Sequence, residues 1–320
     1  MAVYNTAEYV REGIDSILNQ SFEDFEFIII NDGSTDNLLE IIETFDDPRI
    51  ILINQRNQGR AVALNNGIIQ AKSNIIARFD ADDISYSDRL EIQFNYMESN
   101  PNCIALGSNA DVIDKDGNYI YRSNQPLSSH RLKSGLPLRT PFIHPSTVFR
   151  RDIFLKAGKY PDIIIEDLLL FNKMASLGDF SNIEQPLIKY RISPSACTRR
   201  SKETNKILRK IVVHFDEYGY ITDKQLDEIS RSLTKTNTPE KYYQYHLLLT
   251  KKYLWNNYSP SKAREQIKFS FQYKQFPIVM IGLYICSCFP KKLITKFYHF
   301  FKWILTFQRE THSAIRMISK

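Results

Sequence analysis

Three aspartates, Asp80, Asp82 and Asp83, stand together at the end of a short apolar run, Ile75 to Phe79. Carboxylates this close repel one another unless a cation or a hydrogen-bond donor sits among them. Hard divalent cations take oxygen ligands, and Mg²⁺ is typically held by one or two carboxylates together with substrate phosphates. The chemistry on offer is a metal–diphosphate site. The alternative is a solvated Asp-rich turn capping the next helix, which Ser85 to Asp88 would start. The three acids alone do not decide between these readings. Asp32 ends a second apolar run, Phe25 to Ile30, within Asn31-Asp32-Gly33-Ser34-Thr35-Asp36. Glu166 and Asp167 follow Ile163 to Ile165. On spacing alone they read as an acid pair at a helix N-terminus, where the macrodipole favours them.

Those side chains need elements to hold them. Ile75 to Phe79 fits a central strand, and open α/β sheets bind ligands at the carboxyl ends of parallel strands. Thr6 can cap a helix whose apolar face is Tyr9, Val10, Gly13, Ile14, Ile17 and Leu18. Leu38 to Phe45 and Ala61 to Ala71 read as helices, Ile50 to Ile53 as a strand, and Asn57-Gln58-Gly59 as a turn. Strand and helix alternate, which argues for a doubly wound α/β layer structure. After Asn100 the pattern changes. Ile104 to Asn109 reads as a strand, Lys115-Asp116-Gly117-Asn118 as a hairpin turn, and His144 to Phe149 as a strand. A helix from Leu168 to Leu177 and a last strand from Ile183 to Arg191 follow. From Thr198 the chain reads as helical, so a division into residues 1–197 and 198–320 is expected.

Charge divides at the same place. Residues 199–320 carry 23 Lys and Arg against 9 Asp and Glu, a balance of +14, whereas residues 1–198 balance at −8. A basic, aromatic-rich C-terminal region points to a negatively charged partner, an anionic membrane rather than a nucleic acid. Phe276 to Phe289 has no charge. As a helix it would measure roughly 21 Å, too short for about 30 Å of hydrocarbon. Lys291 and Lys292 follow. Leu293, Ile294, Phe297, Phe300, Phe301, Ile304 and Leu305, mixed with Lys296, Lys302 and Trp303, then give the pattern of a helix lying in a membrane interface. Its alternative is a helical hairpin packed on the α/β domain. Cys103, Cys197, Cys286 and Cys288 form no Cys-x-x-Cys pair, so neither a zinc site nor a disulfide framework is expected, and a reducing cytoplasm is the simplest compartment. Residues 1–20 show no basic flank followed by an apolar core, so no secretory signal is expected.

Several short motifs now fall in order: Val3-Tyr4-Asn5, Asn31 to Asp36, Asn57-Gln58-Gly59, Ala63-Leu64-Asn65-Asn66-Gly67, Asp80-Ala81-Asp82-Asp83, Arg89-Leu90, His144-Pro145-Ser146, Glu166-Asp167 and Tyr190-Arg191. This series resembles the family 2 glycosyltransferases, inverting enzymes with the GT-A fold, over about residues 1–195. The resemblance implies a Rossmann-like αβα layered domain with a mostly parallel sheet, followed here by an α-helical C-terminal region. It implies a nucleotide-sugar donor, commonly UDP-linked, with Asp32 on the base, Tyr4 stacked against it, and Asn57 in the same pocket. Asp80 and Asp82 match the Asp-x-Asp pair. Asp82 is the expected direct ligand of Mg²⁺ or Mn²⁺, with Asp80 on the ribose or the metal. His144 matches a position that can help bind metal, and Arg191 one that can contact the diphosphate. Asp167 matches the base that deprotonates the acceptor hydroxyl, and Glu166 orients it. The implied acceptor is a glycan or a polyprenyl-diphosphate-linked glycan, at the cytoplasmic face of the cell membrane, with the protein peripherally attached.

The chain also departs from that pattern. Family members usually begin with an apolar strand running into the Tyr-Asn turn, and almost all of it is missing here. The expectation is that Met1 is not the natural start or that the chain is a truncated form, with unpaired backbone in the core and weakened nucleotide binding. Leu169 stands where an acid often follows the base, and Ser193 where a histidine often follows Tyr-Arg; both put acceptor identity in doubt. These departures support a rival, a non-catalytic glycosyltransferase-like protein that binds sugar nucleotide or a partner. No Gln-x-x-Arg-Trp motif is present, so processive polymer synthesis is not expected.

Overall fold

The computed structural model describes residues 1–136, 139–163, 165–194, 202–232, 238–274, 278–294 and 296. In chain order the elements are β1 (Ala2–Val3), α1 (Ala7–Leu18), β2 (Phe27–Asn31), α2 (Leu38–Ile42), β3 (Ile50–Asn54), α3 (Arg60–Gln70), β4 (Ile75–Ala77), β5 (Ile84–Ser85), α4 (Arg89–Ser99), β6 (Cys103–Ile113) and β7 (Tyr119–Arg122). There follow α5 (Ser129–Lys133), a 3₁₀ turn (His144–Ser146), β8 (Val148–Arg150), α6 (Arg151–Lys156), α7 (Glu166–Met174) and β9 (Asp179–Arg191). The further elements among the described residues are helices: α8 (Lys202–Tyr218), α9 (Asp223–Ser232), α10 (Thr238–Trp255), α11 (Pro260–Ser270) and α12 (Ile278–Ser287). The chain groups into two compact units, residues 1–113, 122–191 and 199–235 in the first, and 114–121, 192–198 and 236–320 in the second.

Two sheets build the first unit. β1, β2 and β3 run parallel in that order, with Val3 opposite Asn31 and Asn31 opposite Asn54. The second sheet has the order β4-β8-β6-β9-β5 and is mixed: β6 and β9 are parallel, whereas β8 runs antiparallel to both β4 and β6. A single parallel bridge from Ala2 to Asp80 joins the two sheets. That bridge settles where the site forms. β1 lies beside β2 on one flank and Asp80 on the other, so the turns after β1, β2 and β4 open on one sheet edge. The doubly wound expectation therefore holds for β1 to β3, whereas β4 and β8 turn the rest into a mixed sheet.

The N-terminus is held in this layer. The Met1 amine donates to the Ile28 carbonyl at 2.8 Å, and Ile30 N–H donates to the Met1 carbonyl at 2.9 Å. Burial and the charge of Arg78 lower the pKa of the amine to about 5. A cavity of about 190 Å³ is lined by Phe27 and Ile28 of β2, Ile75 and Ala77 of β4, and the buried arginines Arg78 and Arg89.

Local expectations fare unevenly. Thr6 does sit at the start of α1, but its side chain makes no capping bond and its Oγ1 is buried without a partner. The Ala7 N–H is taken instead by Asp36 Oδ2 at 3.0 Å, because the β2–α2 loop folds over that helix end. His144 to Ser146 forms the 3₁₀ turn, with Pro145 inside it, so the strand starts only at Val148. Cys103, Cys286 and Cys288 are free thiols. Cys197, and the amphipathic segment beyond Lys296, lie outside the described residues.

Leu169 corrects the reading placed on it above. It is 0% exposed and packs with Leu168, Ile207, Leu208 and Ile211, in the apolar seam between α7 and α8. An acid here would point into hydrocarbon, so the leucine belongs to the helical support behind α7 and says nothing of the acceptor. Leu169→Asp is expected to cost about 4 kcal/mol or more of stability, and Leu169→Ala about 2–5 kcal/mol. Urea unfolding followed by circular dichroism checks both.

Candidate active site

The first wall of the site is made by turns tied to one another through their polar side chains. Asn5 adopts φ +49° after β1. Its Oδ1 accepts from Thr35 N–H at 2.8 Å, and its own N–H donates to Ser34 Oγ at 3.1 Å. Asp32 directly follows β2 and is buried. Its Oδ1 accepts from Gln55 Nε2 at 2.7 Å and Gln58 N–H at 2.9 Å, and its Oδ2 from Gly59 N–H at 2.9 Å. One carboxylate thus fixes the Asn57-Gln58-Gly59 turn. Gly33 makes the approach feasible: at φ +73° a Cβ there would stand 2.7 Å from the Asn57 nitrogen. Tyr4 and Asn57 are exposed on this wall, Tyr4 at 47%.

The acids after β4 form the floor. Ligand oxygens of Asp80, Asp82 and Asp83 lie within 4.8 Å of one another, and among the described residues no other such carboxylate, cysteine or histidine group is found. The buried Arg78 pairs through Nη1 with Asp80 Oδ2. Arg191, also buried, closes the far side. Its N–H donates to Asp83 Oδ1 at 2.7 Å, its Nε to the Asp82 carbonyl at 2.7 Å, and its Nη2 to Glu12 Oε2 at 2.6 Å. Its guanidinium also lies over the Tyr9 ring. The structure therefore shows Arg191 as the clamp of the Asp82-Asp83 turn, its guanidinium engaged with protein groups.

Charge remains in excess on this floor. Desolvation first, then the Asp80 carboxylate, raises Asp82 to about 6. Burial and its two neighbouring acids raise Asp83 well above the usual carboxylate range. Asp83 Oδ2 is buried with no hydrogen-bond partner. Crowded, desolvated carboxylates with an orphan oxygen are a donor set that suits a hard divalent cation.

The opposite wall comes from α7. Glu166 and Asp167 occupy its first turn, the former buried and the latter half-buried. Asp167 Oδ1 accepts from Leu168 N–H at 2.8 Å. Arg60, the first residue of α3, reaches across to Glu166 Oε1 at 2.5 Å, and its charge also acts on Asp80 and Asp167. Desolvation raises the proton affinity of Glu166, while Arg60 opposes it. His144 Nε2 bonds the Tyr160 hydroxyl at 2.8 Å. Burial, with the charges of Arg78 and Arg60, keeps its imidazole neutral. His144 is not among the side chains whose ligand atoms converge, so the residues that could hold a metal are Asp80, Asp82 and Asp83.

Sequence reading missed Arg60, Arg78, Glu12 and Tyr160 as parts of the site. Arg60 left one signal. A cation at a helix N-terminus opposes the macrodipole, so an acid from elsewhere must offset it. Glu166 does so.

Converging carboxylates at the bridge between a parallel and a mixed sheet place the chain in the class of α/β proteins with the GT-A fold. The solved structures agree on that fold. Staphylococcus aureus TarS 1–349 in complex with UDP is 15% identical, with a TM-score of 0.52 over 93% of this chain and 89% of that one. The model of glycosyl transferase family 2 matches residues 1–158. A glycosyltransferase of Methanocaldococcus jannaschii is 37% identical over 201 residues, 60% of this chain and 69% of the relative. The O-antigen biosynthesis glycosyltransferase WbnJ of Escherichia coli is 32% identical over 200 residues, covering 60% of this chain and 78% of WbnJ. The chain belongs to glycosyl transferase family 2. It spans about a third of the length of a Rickettsia felis glycosyltransferase, 33% identical over 200 residues and 32% of that protein.

The Asp82 shift sets a pH dependence. A carboxyl whose folded pKa, about 6 here, exceeds its unfolded value of about 3.9 binds protons more tightly when folded. The contribution of Asp82 to the stability of the metal-free chain then falls as pH rises from about 4 through 6 and levels off above. Asp82→Asn is therefore expected to raise the thermal midpoint in chelator more at pH 7.5 than at pH 5; the buried Met1 amine, lowered to about 5, contributes with the opposite sign in both chains and cancels in the comparison. Asp32→Ala should lower the midpoint at every pH, since it leaves Gln58 and Gly59 N–H groups without an acceptor, at roughly 1–3 kcal/mol each.

Proposed function

We propose that the chain is an inverting, metal-dependent glycosyltransferase. It moves a sugar from a nucleotide-diphosphate sugar, UDP-linked in the first instance, to a hydroxyl of a glycan or polyprenyl-diphosphate-linked glycan. One observation carries this reading: three crowded carboxylates with an orphan oxygen face an acid pair on α7, with Arg60 between them. Asp80, Asp82 and Asp83 would hold Mg²⁺ or Mn²⁺. When bound, the cation neutralises charge on the departing diphosphate. The name of WbnJ supports a surface polysaccharide as the acceptor. The basic C-terminal region supports a place at the cytoplasmic face of the membrane, with no nucleic-acid partner.

The protein's own groups then have defined tasks. Tyr4 offers an exposed ring for the base to stack on. Asp32 keeps lone pairs beyond those given to Gln55, Gln58 and Gly59, enough to accept a base imide N–H. Asn57 lines the same turn. Arg191 holds the Asp82-Asp83 turn in place, and its contact with diphosphate would require Glu12 to release it. Asp167 accepts the proton of the acceptor hydroxyl as its oxygen bonds to the anomeric carbon and the bond to the diphosphate oxygen breaks. One base on the face opposite the leaving group gives inversion. Glu166, fixed by Arg60, keeps that wall rigid.

Calorimetric titration with a panel of nucleotide sugars, with and without Mn²⁺, tests the donor half. Binding of one UDP-sugar is expected to need the metal and to be lost in Asp82→Ala. Asp167→Asn is expected to bind donor normally while transfer to an acceptor falls by about 10²–10⁴-fold. A well-folded chain that binds no nucleotide sugar would overturn the transferase reading and leave the non-catalytic, partner-binding one.

A further inference from the structure

α12 has ten residues and no charge. Such a helix is apolar on every side, and helices of that kind are ordinarily buried all round. Here only Met280, Leu283 and Ser287 are buried, a narrow stripe at i, i+3 and i+7. On that side α12 packs with α10 and α11. Arg264 Nη1 donates to the Ser287 carbonyl at 3.0 Å, and the Tyr258 hydroxyl to the Phe289 carbonyl at 2.8 Å. The remaining face is exposed. Ile278 is 82% exposed, Val279 53% and Ile285 55%, with Ile281, Tyr284 and Phe289 beside them. A continuous apolar face marks an interaction site.

Charge selects the occupant. Lys291, Lys292 and Lys296 follow directly and are exposed. Residues 291–320 hold seven Lys or Arg against one acid, Glu310. A second copy meeting this face about a two-fold axis would set these cations against themselves. An anionic lipid surface answers both demands, with acyl chains for the helix and phosphates for the lysines. We propose that the outward face of α12, flanked by Lys291, Lys292 and Lys296, docks on an anionic bilayer with its axis along the membrane plane. Ten residues measure about 15 Å, half of the roughly 30 Å of hydrocarbon, so the helix lies on the bilayer and does not cross it. Tyr284 brings an amphipathic ring suited to the headgroup level, and Phe289 adds apolar area below it. The surface supplies the membrane contact that the proposed function assumes, but it lies wholly within the second unit and is tested without any transfer reaction.

Flotation of the full chain with vesicles provides the test. One set is phosphatidylcholine alone; the other contains a third phosphatidylglycerol. The chain is expected to float with the anionic vesicles and not with the neutral ones. Ile278→Glu combined with Ile285→Glu should lower partitioning at least tenfold. Lys291→Glu combined with Lys292→Glu should lower it about tenfold and flatten its salt dependence. All four positions are exposed, and circular dichroism confirms that each variant folds. A folded chain that ignores anionic vesicles overturns the proposal, as does partitioning indifferent to the isoleucine pair. A dimer seen by light scattering and dissolved by the isoleucine pair would assign the face to a second copy instead. Nucleotide-sugar binding measured on the same samples reports separately on the transferase reading.

Discussion

Repulsion among Asp80, Asp82 and Asp83 is the constraint that the first unit answers to. Three carboxylates within one ion's reach are unfavourable in a desolvated pocket. The fold supplies partial compensation from both sides of the sheet. Arg78 comes from the strand that carries the acids, and Arg191 from the end of β9, the strand parallel to the fully buried β6. Arg191 also binds Glu12 on α1, so the acid turn is fastened to the first helix as well as to the second sheet. The compensation is incomplete, because Asp83 keeps an orphan oxygen and Asp82 holds its proton up to about pH 6. That residual imbalance is what the proposed cation would offset.

The same logic runs across the pocket. Arg60 stands at the positive end of α3 and Glu166 at the positive end of α7, so one helix disfavours its residue and the other favours it. Their ion pair lets both stay. It also fixes the distance between the α3 turn and the acid pair without any backbone hydrogen bond between the two elements being needed. The neighbouring Asn65 does comparable work deeper in. Its side chain both donates to the Tyr160 carbonyl and accepts from the Tyr160 N–H.

Much of this was legible in the chain because periodicity and turn chemistry are local. The strand-to-acid junction at Ile75–Asp83, the Asp32 loop and the helix opened by Glu166 could all be found by reading along the sequence. The misses have a common cause. Thr6 has the right residue type for a cap, but its side chain makes no capping bond, and the helix end is instead served at the Ala7 N–H by the Asp36 carboxylate from the next loop. Leu169 seemed a changed site residue until α8 was seen to cover it. Arg60 meets Glu166 only once the chain is folded. The mixed order of the second sheet likewise depends on which strands β8 lies between, and no single stretch records that.

Asp32 carries one more consequence. Its two oxygens secure the turn after β3 through Gln55, Gln58 and Gly59, and Gln55 in turn holds Asn66. Under the proposed function, foldedness and base recognition would therefore rest on a single side chain. A lineage or an engineer seeking a different nucleobase cannot exchange that residue freely, because the first thing lost would be the shape of the pocket. Such a change has to be made at Asp32 and Gln55 together, or at the exposed residues around them, and this restricts the routes by which donor choice can drift in this protein.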